Sequence, residues 1–228
     1  MKMENIKSFQ EFINEGRYDE LTTKSVRACW PIIKLSSTAG ISERTFDLGE
    51  ISAGGVYFDL VLEIKRETLS FPQGFVLDAG AYTQKGDNLI EILINIDPSK
   101  EPQVYSILNA KLKDAFRHEI EHLSQAGKNK VPGKPTATRA KTRNKINVDN
   151  KNIYKYFLLR DEIPAMVHGM YKQAKTQKRP LDDIFNEYLD YFLDDKLISS
   201  SERDKILKVW IDFAKKNLPA AQYSKETK

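Results

Sequence analysis

This chain of 228 residues has a single cysteine, Cys29, so an intramolecular disulfide is excluded and a reducing compartment is the natural setting. A lone cysteine followed by Trp30 and Pro31 reads as a core residue rather than a nucleophile. Apolar runs of membrane-spanning length are missing, which removes the membrane as an expected partner. An excess of one charge is missing too: 36 Lys and Arg stand against 32 Asp and Glu, and a net +4 is too small to imply nucleic-acid binding by itself. No internal repeat is visible. With 40% hydrophobic and 30% charged residues, the composition suits one globular domain with a real core. Histidine is the scarcest of the potential metal-binding types after cysteine, with three in all, so their placement is informative.

Two of the three lie four residues apart around a glutamate, as His118-Glu119-Ile120-Glu121-His122. At 3.6 residues per turn, positions i and i+4 leave the same helix face, so two imidazoles can grip one metal ion while Glu119 reaches a water beside it. The surroundings are helical. A helix is expected from near Pro102, with Val104, Leu108, Leu112, Ala115 and Leu123 tracing a buried stripe up to Gly127 and the histidines in its last turns.

Upstream, apolar and polar residues alternate with period two in Phe58 to Lys65 and again in Ile90 to Ile96, which reads as strand. Phe75 to Thr83 supplies a further strand, and Lys85-Gly86-Asp87-Asn88 has hairpin turn chemistry. The expectation is a small, mostly antiparallel sheet. Downstream, three more helices are expected: Asp161 to Thr176, Leu181 to Leu193, and Glu202 to Asn217, the last introduced by Ser199, whose spacing from Glu202 matches a capping box. Stripes such as Ile184, Tyr188, Tyr191, Phe192 and Ile206, Val209, Trp210, Phe213 are core at helical spacing. The fold class is thus α+β, a sheet packed on the motif helix and followed by a helical C-terminal lobe. Within one domain over 16–228, residues 16–127 form the sheet and motif helix, and 153–228 the lobe. Residues 128–152 read as a basic loop, with Lys128, Lys130, Lys134, Arg139, Lys141, Arg143, Lys145 and Lys151 against Asp149: a solvated connection, a functional lid or a contact for a polyanion.

A hydrolytic metal site needs three protein ligands and an open position, so the motif is one ligand short. Glu162 is the best candidate for the third. Pro164 is tolerated only in a first helical turn, which starts this helix near Asp161 and makes Asp161 its expected N-cap. Small residues Ala165 and Gly169 continue the Glu162 face and allow close packing on the motif helix. His168 lies about 240° around the helix from Glu162 and is the alternative ligand or an oxyanion donor; Asp161 is a weaker alternative ligand. Tyr154, Tyr156, Arg160 and Tyr171 are further oxyanion candidates by proximity in sequence.

Taken together over about residues 45–220, the strands, the His-Glu-x-x-His helix and the downstream glutamate-bearing helix resemble the zincin metallopeptidases, in particular the gluzincin branch. The resemblance implies one zinc ion on His118, His122 and Glu162, Glu119 as general base, a twisted sheet over the motif helix with a helical lower lobe, and hydrolysis of a peptide or protein substrate. Gluzincins usually carry Asn-Glu-x-x-x-Asp at the third ligand; here Asp161 precedes the glutamate and Met166 occupies the place of the final acid, which leaves the supporting partner of a ligand histidine unidentified. Peptide deformylases share the histidine motif but take a cysteine as third ligand, and the Ala-Cys-Trp context of Cys29 does not match theirs.

Residues 1–16, MKMENIKSFQEFINEG, carry a short amphipathic pattern of Ile6, Phe9, Phe12 and Ile13, with no apolar core long enough for a secretory signal. Besides an ordinary amphipathic helix, the segment resembles the targeting segments of internal head proteins of large contractile-tailed bacteriophages, which end at Ile/Leu-x-Glu before Gly or Ala where a prohead protease cuts. Ile13-Asn14-Glu15-Gly16 fits that rule, with Glu15 and Gly16 flanking the cut. The resemblance implies residues 1–15 as a removable segment, the capsid and packaged DNA as partners, and a place in the virion interior or the bacterial host cytoplasm. Loss of 1–15 takes two lysines and three glutamates and leaves a net +5, mildly basic beside DNA. A second, non-enzymatic reading is an internal virion protein with a structural metal site or a nucleic-acid-contacting basic loop; retention of Glu119 favours the enzyme, because a structural site needs no general base.

Overall fold

The computed structural model describes residues 4–53, 55–84, 87–128 and 153–224, with the side chains of 4–17, 83–84, 87 and 125–128 left aside. The chain divides into two compact units, Met1–Ser124 and Gln125–Lys228. Among the described residues the architecture is α+β, with four strands and six α-helices: α1 (Glu4–Thr38), β1 (Glu43–Ala53), β2 (Val56–Arg66), β3 (Phe75–Gln84), β4 (Asp87–Ile96), α2 (Tyr105–Lys128), α3 (Ile153–Phe157), α4 (Glu162–Gln177), α5 (Leu181–Asp194) and α6 (Ser200–Asn217). None of these helices is long and apolar enough to cross a membrane. Residues 129–152, most of the expected basic loop, and the turn residues 85 and 86 lie outside the described residues.

In the first unit the period-two strands form as their patterns predict. Phe58, Leu60, Leu62 and Ile64 of β2 and Ile90, Ile92, Ile94 and Ile96 of β4 are buried on one face. The order is β1-β2-β4-β3, so the sheet is mixed: β1 with β2 and β3 with β4 are antiparallel, but the central pair β2 and β4 runs parallel. That parallel pairing departs from a simple meander, and its reason is burial. The two strands with unbroken aliphatic stripes take the centre, whereas β1 and β3 carry Gly49, Asp78 and Gly80 and take the edges. The connection over 67–74 must therefore cross the end of β4. Glu67 donates its N–H to the Ile96 carbonyl (3.3 Å) and Asp97 donates to the Gly74 carbonyl (2.9 Å). Gly74 has φ +73°, and a Cβ there would lie 2.7 Å from the Lys100 side chain, so the turn needs glycine.

Two elements escape the sequence pattern. Strand β1 breaks its alternation with a bulge between Asp47 and Glu50, where Gly49 has φ +70°. Helix α1 runs 35 residues, far beyond the short N-terminal pattern. Its buried face includes Tyr18, Leu21, Thr22, Ser25, Val26, Cys29, Ile33 and Ser36, at helical spacing but interrupted by hydroxyls. Those hydroxyls are satisfied within the helix, Thr22 by the Tyr18 carbonyl (2.7 Å), Ser25 by Leu21 (2.9 Å) and Ser36 by Ile33 (2.9 Å). Cys29 is fully buried, as expected of a core residue, and burial pushes its thiol up to about 12. Side chains of α1, the sheet and α2 make one core, with Leu108, Leu112, Phe116, Ile120 and Leu123 as the contribution of α2. Phe116 takes the place in that stripe expected of Ala115, which is half-buried.

The second unit gathers its helices around Trp210, Phe157 and Phe185, and the Trp210 indole donates to the Phe157 carbonyl (3.1 Å). Both halves of the capping box form at α6: the Ser199 hydroxyl accepts from the Glu202 N–H and the Glu202 carboxylate accepts from the Ser199 N–H.

Candidate metal centre

Helix α2 buries its aliphatic stripe in the first unit's core, which leaves His118 and His122 on a half-buried flank. One turn apart, they turn their Nε2 atoms toward each other at 3.0 Å, with ring centroids 4.6 Å apart and planes at 79°. Two ring nitrogens this close need a cation or a proton between them, since two lone pairs repel. Tetrahedral zinc, with Zn–N of about 2.0–2.1 Å, sets its ligand nitrogens roughly 3.3 Å apart, close to the separation here. Glu119 is 8% exposed, and its Oε1 lies 3.9 Å from His118 Nε2, so the carboxylate between the two histidines in sequence stands beside the His118 nitrogen in space.

Arg117 holds this turn from the side. It is buried, bonds the Glu121 carboxylate at 2.8 Å, and lies with its guanidinium 4.9 Å from the centre of the Tyr18 ring of α1. Sequence reasoning missed this clamp, although the Arg117 and Glu121 spacing of four was a readable sign of it.

Glu162 opens α4, where the helix N-terminus favours a carboxylate, and is fully buried. One ligand atom from each of His118, His122 and Glu162 lies within 4.8 Å of the others, and this group could hold a metal ion. His168 is not part of that group; it is half-buried with its ring edge-on to Phe213 at 5.8 Å. The expected cap role of Asp161 needs correction. It stands at the N-cap position but has φ −88° and ψ −25°, the helical region, and its side chain makes no cap bond. A capping side chain needs extended backbone to reach back to the first turn. Instead the Glu162 and Ile163 N–H groups both donate to the Leu159 carbonyl at 3.0 Å. Glu15 and Gly16, the expected processing site, fall within the span of α1 but among the residues whose side chains are left aside.

No protein-family model, no curated protein and no solved structure matches this chain.

Proposed function

We propose that this chain is a zinc-dependent peptidase of the His-Glu-x-x-His type. The observation that carries the reading is the convergence of the His118, His122 and Glu162 donor atoms with the Glu119 carboxylate alongside. Two imidazoles and one carboxylate are a donor set that suits zinc, and three protein ligands leave one position open, as hydrolytic rather than structural sites do. When bound, zinc supplies Lewis acidity, making water more acidic and polarising a carbonyl. The chain's own groups do the rest. His118 and His122 offer Nε2 lone pairs, which requires their protons on Nδ1 and both rings neutral. Glu162 contributes a negative charge that offsets part of the ion's. Glu119 accepts the proton of the attacking water and returns it to the leaving amine, the general-base and general-acid halves of one cycle.

Metal content tests the ligand set. The purified protein should carry about one zinc ion per chain, and His118→Ala or His122→Ala should each empty the site, since each removes one of three ligands. Glu162→Ala should release most of the metal, whereas Asp161→Ala should retain it and, lacking a cap bond to lose, change stability by no more than about 0.5 kcal/mol. Stoichiometric zinc in both histidine variants by elemental analysis would remove the site; loss on His168→Ala but not on Glu162→Ala would move the third ligand.

The proposed setting is the interior of a phage head, supported by the targeting-like pattern ending at Glu15-Gly16. Mass spectrometry of protein from purified particles should find Gly16 as the first residue, and protein made alone should keep 1–15. An intact Met1 form in particles, or absence from them, speaks against this setting.

A further inference from the structure

We propose that the open face of the β1-β2-β4-β3 sheet is a docking surface for a basic, lysine- and arginine-rich polypeptide. One face of this sheet is covered by the core; the other is half-buried or exposed throughout. Strand register brings Asp47 and Glu50 of β1, Asp59 and Glu63 of β2, Glu91 of β4 and Asp78 of β3 onto that open face. Lys65 is the one basic side chain the four strands add to it, and it is already shared between Glu43 (3.3 Å) and Glu63 (3.0 Å). The bulge in β1 is what sets Glu50 directly opposite Asp59, a like-charge pair that costs stability in an antiparallel ladder. A merely solvated face in a chain of net +4 would ordinarily mix both signs.

The pattern of the acids names the occupant. Across β2 and β4, Asp59 neighbours Leu89, Val61 neighbours Glu91, and Glu63 neighbours Leu93, so carboxylates and aliphatic side chains alternate in both directions. Tyr57 and Tyr82 flank this grid at 47% and 53% exposure. A metal ion needs its carboxylates adjacent within a few ångströms, and here aliphatic residues separate most of them. Lysine and arginine fit instead: their methylene stems lie on the aliphatic and tyrosyl positions while their charged ends reach the neighbouring carboxylates. The sign of the face excludes nucleic acid and anionic lipid. This surface stands apart from the metal centre and does not depend on the peptidase reading.

The test is fluorescence anisotropy with the full-length Glu119→Gln chain, so that the probe stays whole, and a labelled peptide in which lysines alternate with valine and threonine. Saturable binding is expected at low salt, with weakening as NaCl rises from about 50 to about 300 mM. Binding should fall at least about tenfold in Asp59→Lys/Glu91→Lys. Tyr57→Ala/Tyr82→Ala should also weaken it, but to the same extent at both salt concentrations, and a glutamate-for-lysine peptide should not bind. The charge-reversed protein should melt no lower than the parent, because it loses the Glu50 and Asp59 repulsion. Absence of binding at low salt, or binding unchanged by charge reversal, overturns the proposal. So does self-association of the chain that charge reversal abolishes, which would assign the face to a second copy.

Discussion

Replacing Glu119 by glutamine is expected to leave zinc and fold intact while cutting peptide hydrolysis at least ~10²-fold, or about 2.7 kcal/mol of barrier. Glutamine nearly matches glutamate in size, so the packing of a side chain only 8% exposed is kept, and the position 3.9 Å from His118 Nε2 is still filled. It cannot accept a proton from water, and that is the role proposed for Glu119. Cleavage of a broad peptide library, by wild type and variant each shown to be zinc-loaded, measures the loss. Equal cleavage by both, or none by the wild type, ends the peptidase reading, and in that event the site is better read as structural.

Arg66→Ala should cost about 3–5 kcal/mol of stability, the penalty for leaving a buried charge without its partner. The Arg66 side chain is 6% exposed and joins three parts of the first unit. Its Nη1 donates to the Ser36 hydroxyl (2.9 Å) and the Ile41 carbonyl (3.3 Å); its Nη2 donates to the Ile33 carbonyl (2.9 Å) and to Glu101 (3.2 Å). Glu101, 9% exposed, would keep only the Ser37 hydroxyl as a side-chain partner among the described residues. Replacing both partners, as Arg66→Met with Glu101→Met, removes the buried charge altogether and should recover most of the loss. Urea titrations of the single and double variants check this; a single-variant cost below about 1 kcal/mol would mean the pair is solvated rather than buried.

The parts of this molecule that were legible in its sequence are those where a local period maps directly onto a face. Phe58 to Ile64 and Ile90 to Ile96 alternate cleanly and become β2 and β4; Ser199 and Glu202 stand three apart and close their box; His118 and His122 stand four apart and meet. Pro164 located the start of α4, and with it the placement of Glu162. What escaped was set by longer-range or competing effects. The buried face of α1 contains Thr22, Ser25 and Ser36, whose hydroxyls find carbonyls in their own helix and so enter a core that hydropathy alone would deny them. In β1 a single extra residue at the bulge spoils the count. The parallel pairing of β2 with β4 joins segments separated by β3, and no window of local pattern reports it. Asp161 has the right identity for a cap and the wrong backbone.

That parallel pairing bears on how the chain comes into being. β4 leaves the ribosome after β3 yet sits between β3 and β2, so the sheet cannot be laid down in the order of its synthesis. Until Ile96 has emerged, β2 can pair with β1 on one side only, and its other edge, beside Phe58, Leu60, Leu62 and Ile64, is an open template for another nascent chain. The strap over 67–74 must wait as well, because Ile96 and Asp97 are what it binds. Completion of the sheet is therefore one concerted event, in which β4 pairs with the open edge of the β1-β2 ladder and with β3, which has no other strand partner in the sheet, and the stretch of translation between residues 66 and 96 is when this chain is most exposed to aggregation and most in need of a chaperone.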